Sequence, residues 1–348
     1  MARGYIQISP LDGLFFGKGR PFSMGDDSWT EAEPLPPPGV VWGALFSQLW
    51  YRDKTTPLNV LKTGRTMIMG ENLTQLYLPA PLDIFQRDAG TAHHQFYWQE
   101  DHKFITGRSG QNVLLKPQTD EQVEVPEGYL LSAGSLSAYA EAVKTFNNVQ
   151  ISPLDEIIGG EFKIGIGRRE DLRTAEEGKL YVVNLTQLKP GYSLLTEAEY
   201  PDDFPQSGIL KIGGEGKMAA FTRINEGDTK GKSLKQSLTL KVASSQSGFF
   251  KIYLTTPAPL DSLGLPAFLA NKPFRVEGGV TGKPYALGGF DYQARRPKPK
   301  SLVAPAGSVY ILEYTGDGLV SNEKTRELLG YGHYEKGMNQ FEIFPYHG

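Results

Sequence analysis

Five stretches of this chain place lysine, arginine or aromatic side chains directly beside glycine. They are Lys18-Gly19-Arg20-Pro21-Phe22, Gly167-Arg168-Arg169, and Gly213-Gly214-Glu215-Gly216-Lys217. The fourth is Gly288-Gly289-Phe290 with Arg295-Arg296-Pro297-Lys298-Pro299-Lys300, and the fifth is Gly330-Tyr331-Gly332-His333-Tyr334. Glycine lets a ligand backbone come close, cations meet phosphates, and exposed aromatics stack on bases for about 1–3 kcal/mol each. One such loop is ordinary solvated surface, whereas five in an acidic chain point to RNA. The expected contacts are Lys18, Arg20, Phe22, Arg168, Arg169, Gly213, Gly214, Lys217, Arg295, Arg296, Lys298, Tyr331 and His333.

Other chemistries find less support. Gly227-Asp228-Thr229-Lys230-Gly231-Lys232-Ser233 ends like a phosphate-binding P-loop, but Glu226 stands where the first glycine belongs and no clear strand precedes it. Gly165-Ile166-Gly167 and Gly213-Gly214-Glu215-Gly216 lack the third glycine of a dinucleotide fingerprint. His93, His94 and His102, near Glu100 and Asp101, match no helix-borne metal spacing and read as polar residues on the outside of an insertion. No Gly-x-Ser-x-Gly elbow occurs. Asp26-Asp27 and Asp202-Asp203 are adjacent, and adjacent side chains of extended chain point apart. The expectation is no catalytic set, no metal and no cofactor.

Composition narrows the class. The chain has 348 residues, enough for two domains, and its 39% hydrophobic content supports real cores. Forty Gly and 24 Pro without a period imply many turns and strand-rich structure. Thirty-six Lys and Arg against 39 Asp and Glu leave a net charge of −3, so nucleic acid must be held by local patches. The absence of cysteine removes disulfides and thiolate chemistry and agrees with a cytoplasmic setting. No secretory leader and no membrane span of roughly 18 apolar residues is evident, so no membrane partner is expected.

The elements that must carry the loops follow from periodicity. Tyr5 to Ser9 alternates as a strand, and Pro36-Pro37-Pro38 launches an apolar helix from about Gly39 to Trp50. Val41, Leu45 and Leu49 form its core face; Trp42, Phe46 and Trp50 form a neighbouring face that could meet a protein partner. Short strands are expected at 65–69 and 73–79. Residues 86–127 read as an inserted hairpin or arm, whose Phe96 and Trp98 are further partner candidates. Leu136, Tyr139, Ala140, Val143 and Phe146 have helical spacing, stopped by Asn147-Asn148. Strands are expected at Glu161–Ile166, Leu180–Leu185 and Leu234–Val242. A fresh start follows at Phe250–Leu254, then a strand at Ser308–Tyr314, a helix from about Asn322 stopped by Gly330, and a strand at Gln340–Phe344. The triplet Pro-Leu-Asp begins at Pro10, Pro81, Pro153 and Pro259 without a period, and a strand leads into the first and last. The expected fold is α+β: two ferredoxin-like (RRM-like) domains, 1–245 and 246–348, with long glycine-rich loops and an insertion at about 86–127.

These residues together resemble a known family. PLDGLFFGKGRPF with the helix carrying Gly43-Ala44-Leu45, YLPAPLD, GIGRRE with EGKLY, LKIGGEGKMAAF, YLTTPAPL, GKPYALGGFD, RRPKP with APAGSVY, and the terminal GYG occur in the order found there. The chain is similar to the third subunit of the Cmr complex, the type III-B CRISPR effector of antiviral defence, within the RAMP superfamily. It departs at Phe46, where relatives often carry Arg. The resemblance implies that the glycine loops hold the 5′ tag of a CRISPR RNA. It also implies that the chain anchors the large palm-domain subunit at the foot of the complex, touches the first RAMP backbone subunit and is not an enzyme. Two alternatives stay open: a RAMP endoribonuclease using His333 beside Tyr331 and Tyr334, and a scaffold with incidental RNA contacts.

Overall fold

The computed structural model describes residues 1–17, 29–30, 33–86, 93–95, 97–100, 113–116, 127–141, 145–146, 149–168, 174–239, 246–270, 272–291, 296–330 and 336–346. In the first half, strand β1 (Ala2–Pro10) precedes helix α1 (Pro38–Trp50), which begins behind the proline run where a missing N–H costs nothing. Strands β2 (Lys62–Met69) and β3 (Leu76–Pro79) follow. The 86–127 stretch holds a hairpin of β4 (Tyr97–Glu100) and β5 (Val113–Lys116). Next come β6 (Tyr129–Ser132), α2 (Leu136–Glu141) and β7 (Ile151–Pro153). A long hairpin of β8 (Ile158–Arg168) and β9 (Ala175–Leu188) leads to β10 (Ser193–Tyr200), β11 (Ser207–Lys211), β12 (Met218–Asn225) and α3 (Thr229–Leu238).

The second half begins at β13 (Phe249–Leu254) and β14 (Phe274–Val280). A bent hairpin then runs out through β15 (Tyr285–Leu287) and β16 (Phe290–Asp291) and back through β17 (Arg296–Pro297) and β18 (Ser301–Ala304). Strand β19 (Val309–Tyr314), helix α4 (Asn322–Leu329) and β20 (Phe341–Pro345) close the chain. No helix among the described residues is long and apolar enough to cross a membrane.

The large sheet has the order β7-β6-β3-β2-β10-β1-β12-β11 and is antiparallel throughout. The second sheet has the order β14-β19-β13-β20, also antiparallel. In each half the four central strands therefore lie second-third-first-fourth in their own succession. Each half keeps one of the two helices that a strand–helix–strand–strand–helix–strand pattern requires. The first half has α1 but places strand β11 between its third and fourth strands; the second has α4 but only a 3-10 turn, Ala267–Leu269, after its first strand.

The large sheet is covered on both faces. Ile6, Ile8, Ile68 and Leu194 pack with Val41, Leu45 and Leu49 of α1. Tyr5, Met67, Met69 and Leu195 face the other way, toward Leu136 and Tyr139 of α2 and Leu234 of α3. Tyr253, Val309 and Phe344 of the second half share that core, so the two halves meet across it. Adjacent residues such as Leu194 and Leu195 thus serve opposite cores, giving the continuous apolar runs of strands buried on both sides.

Three expectations change. Residues 229–238 form helix α3, where a strand was expected from Leu234. Leu234 and Leu238 are four apart, a spacing that fits a strand face and a helix face equally, and burial of both beside Gly231 selects the helix. The helix expected through Phe146 ends at Glu141, because Thr145 and Phe146 pair with His94 and His93, some fifty residues earlier. A strand does precede the Gly227 turn, yet that turn spans only Glu226 to Asp228 and Gly231 sits inside α3, so no phosphate cradle forms.

Candidate nucleic-acid interface

The opening stretch leaves β1 under close restraint. Leu11 donates its N–H to the Met218 carbonyl at 3.1 Å. The Asp12 carboxylate accepts the Gly13 N–H at 2.7 Å and the Lys217 ammonium at 2.6 Å. Lys217, and after it the Gly13 N–H, hold that carboxyl below the usual carboxylate range. Gly214 donates to the Phe15 carbonyl at 2.8 Å. Gly213 has φ +77°, and a Cβ there would lie 2.3 Å from the same carbonyl, so the turn needs glycine for both conformation and closeness. On its other side the stretch joins β9, where Leu14 and Thr186 exchange backbone hydrogen bonds at 2.7 Å.

The chain returns at Glu33 beside its point of departure. The Glu33 N–H donates to Phe16 at 2.7 Å, and the Thr186 hydroxyl donates to the Glu33 carbonyl at 3.2 Å. Trp29–Thr30 pairs in parallel with Val182–Val183, so the returning leg runs along the long hairpin. Arg168 ends β8 opposite Ala175, at the end of that hairpin remote from the sheet.

The second half carries its own cations. Burial raises the Tyr285 phenol of β15, and the charge of Glu33 raises it further. Beyond Tyr285, the hairpin carries Arg296, Lys298 and Lys300, all exposed, and the backbone N–H of Lys298 donates to the Gly289 carbonyl at 2.9 Å. Gly337, just past the last glycine stretch, lies against Pro38, Thr63 and Gly64, and Lys336 sits 4.7 Å from the Trp42 ring centre. Among the described residues, direct contacts therefore join the opening stretch, Glu33 and the Gly213–Lys217 turn.

Not every expected residue is available there. Lys217 is 6% exposed and bound to Asp12, so the fold spends it on fastening two loops rather than presenting it to a phosphate. Trp42 and Phe46 are 7% exposed and stack on each other at 4.8 Å inside the first core, so neither offers the partner surface expected of it. The Trp42 indole donates to the Leu61 carbonyl at 2.9 Å. Trp50 stays half-buried at the rim, with the Lys54 ammonium 3.4 Å above its ring. Trp98 belongs to β4. Lys18, Arg20, Phe22, Phe96, Arg169, Arg295, Tyr331 and His333 lie outside the described residues. Sequence reasoning passed over Asp12 and Tyr285, and the repeated Pro-Leu-Asp triplet was the available signal for the first. Asp83 of the second triplet likewise holds a buried lysine, Lys251, at 2.7 Å.

The exposed cations Arg296, Lys298 and Lys300 thus stand on a hairpin beside Gly288 and Gly289. Residues 6–338 match the family described as "CRISPR-associated protein (Cas_Cmr3)", and the chain belongs to that family. No curated protein sequence matches it. Among solved structures it is similar to a chain of "Cryo-EM structure of the Type III-B Cmr-beta bound to cognate target RNA and AMPPnP, state 1". There the TM-score is 0.51 and the identity 17%, over 97% of this chain and 95% of that one. A chain of "Cryo-EM structure of the Type III-B Cmr-beta bound to cognate target RNA" gives TM-score 0.51 and 16% identity over 97% and 96%. The likeness in fold spans both chains nearly end to end.

Proposed function

We propose that this chain is the non-catalytic third subunit of a type III-B CRISPR effector, working in the cytoplasm. It binds the 5′ tag of the CRISPR RNA, anchors the large palm-domain subunit and touches the first RAMP backbone subunit. The supporting observation is the contact chain from Asp12–Lys217 through Phe15–Gly214 to Phe16–Glu33, which fastens the opening loop to the Gly213 turn. Membership of the Cas_Cmr3 family supports the setting. The second-third-first-fourth strand succession, present twice, supports two ferredoxin-like domains.

Ultraviolet crosslinking of tagged RNA to the assembled complex tests this reading. Crosslinked peptides are expected from residues 11–33, 212–217, 285–300 and 330–337. A map in which the tag marks none of these stretches would remove the proposal.

A further inference from the structure

The hairpin from Tyr285 to Ala304 projects cations without committing them. Arg296, Lys298 and Lys300 occupy alternate positions and are all exposed. Among the described residues no carboxylate pairs with them, in contrast to Lys217 and Lys251, which the fold consumes. Pro297 and Pro299 stand between the cations. Each proline fixes its own φ and keeps the residue before it extended, so Arg296 and Lys298 are held in extended backbone before any ligand arrives. Register pins both ends, through Asp291 with Arg296 and Leu287 with Ser301. The Lys298 and Lys300 stems cross Gly289 and Gly288, coming within 3.8 Å and 3.2 Å of where a Cβ would stand. Glycine there lets both stems lie flat on the facing strand.

We propose that Arg296–Lys300 is a rail for the phosphate backbone of single-stranded RNA, gripping it without reading bases. A strand rises 3.2–3.4 Å per residue, so alternate cations sit about 6–7 Å apart along one line. Pre-extension lowers the ordering cost of binding. The assignment rests on the RNA-binding reading above and adds a division of labour: the rail supplies salt-dependent affinity, and base preference resides outside it. The competing use of such a segment is edge protection, since lysine and proline on a hairpin edge also prevent strand pairing between molecules.

The test compares the full chain with the triple variant R296Q/K298Q/K300Q, binding labelled tagged RNA and a scrambled RNA of equal length across a potassium chloride series. Each phosphate contact on a single strand contributes about 0.7 to the slope of log affinity against log salt, so the triple variant should lower it by about 2. The loss should be equal for both RNAs, leaving their affinity ratio unchanged. Because the three side chains are exposed, the melting temperature should not move. An unchanged slope in a chain that binds RNA overturns the rail and leaves the RNA reading intact; self-association of the variant in sedimentation would then identify edge protection. A loss confined to tagged RNA overturns the backbone assignment in favour of base reading. Failure of the unaltered chain to bind either RNA at any salt overturns the RNA reading, and the rail with it.

Discussion

At the scale of single residues, three of the four Pro-Leu-Asp aspartates act as fasteners. Asp12 binds Lys217, and Asp261 accepts the N–H groups of Leu263 and Leu265 at 2.8 and 2.9 Å. Asp83 does most, since it is 1% exposed and accepts both the Lys251 ammonium and the Tyr139 hydroxyl at 2.7 Å. Removing one member of a buried pair strands the other charge, so Asp83→Asn should cost about 3–5 kcal/mol in urea unfolding. The double variant D83N/K251M should cost clearly less than the two single variants summed. Additive losses would show that the pair is not coupled. The phenols give a pH prediction. Burial pushes Tyr310 up to about 12 from 10.0, and burial, followed by the charge of Asp83, also raises Tyr139 well above its ordinary value. A raised folded-state value means full stabilisation below the unfolded value of 10.0, lost as pH climbs through the folded one. The urea midpoint should therefore fall between pH 10 and 12, and Tyr310→Phe should make the fall shallower. An identical profile in that variant would refute its share.

At the scale of elements, two helical glycines make opposite predictions. A Cβ added at Gly43 in α1 would meet nothing within 4 Å, whereas one added at Gly231 in α3 would lie 1.9 Å from the Asn225 carbonyl. Gly43→Ala should stabilise the isolated chain by about 0.5–1 kcal/mol through helix propensity. Gly231→Ala should destabilise it despite the same propensity gain, because α3 must move away from the end of β12. Thermal melts of the two variants should shift in opposite directions; a common direction would contradict the packing. The α4 boundary was legible in the sequence because Gly330, with φ +78°, stops the helix and the Ser321 hydroxyl caps its start by accepting the Lys324 N–H at 3.2 Å.

At the scale of the whole molecule, the halves are interlocked. Arg65 reaches Glu197 at 3.1 Å in its own half and Glu342 at 2.5 Å in the other, and Glu342 also holds Arg326 at 2.9 Å. Tyr253 donates to the Pro79 carbonyl, and Lys251 crosses to Asp83. Calorimetry of the full chain should show one unfolding transition. Residues 246–348 expressed alone should expose Tyr253, Val309 and Phe344 and bind a hydrophobic dye. Two resolved transitions, or a folded fragment, would separate the halves.

The sequence alone determined what depends on neighbours in the chain. Strand alternation at Tyr5–Ser9, the proline start of α1, the glycine end of α4 and the order of the motifs are all local, and so were readable. Tertiary structure decided whatever depends on distant partners. Lys217 is a fastener because Asp12 lies 205 residues away in sequence and 2.6 Å away in space. Leu234 and Leu238 belong to a helix because a second core receives both. Trp42 is interior because Leu61 and Lys336 close over it, and Phe46 stacks on Trp42 within the same core. Composition cannot tell a cation offered to a ligand from one spent on the fold, since the difference is a partner that only folding brings near.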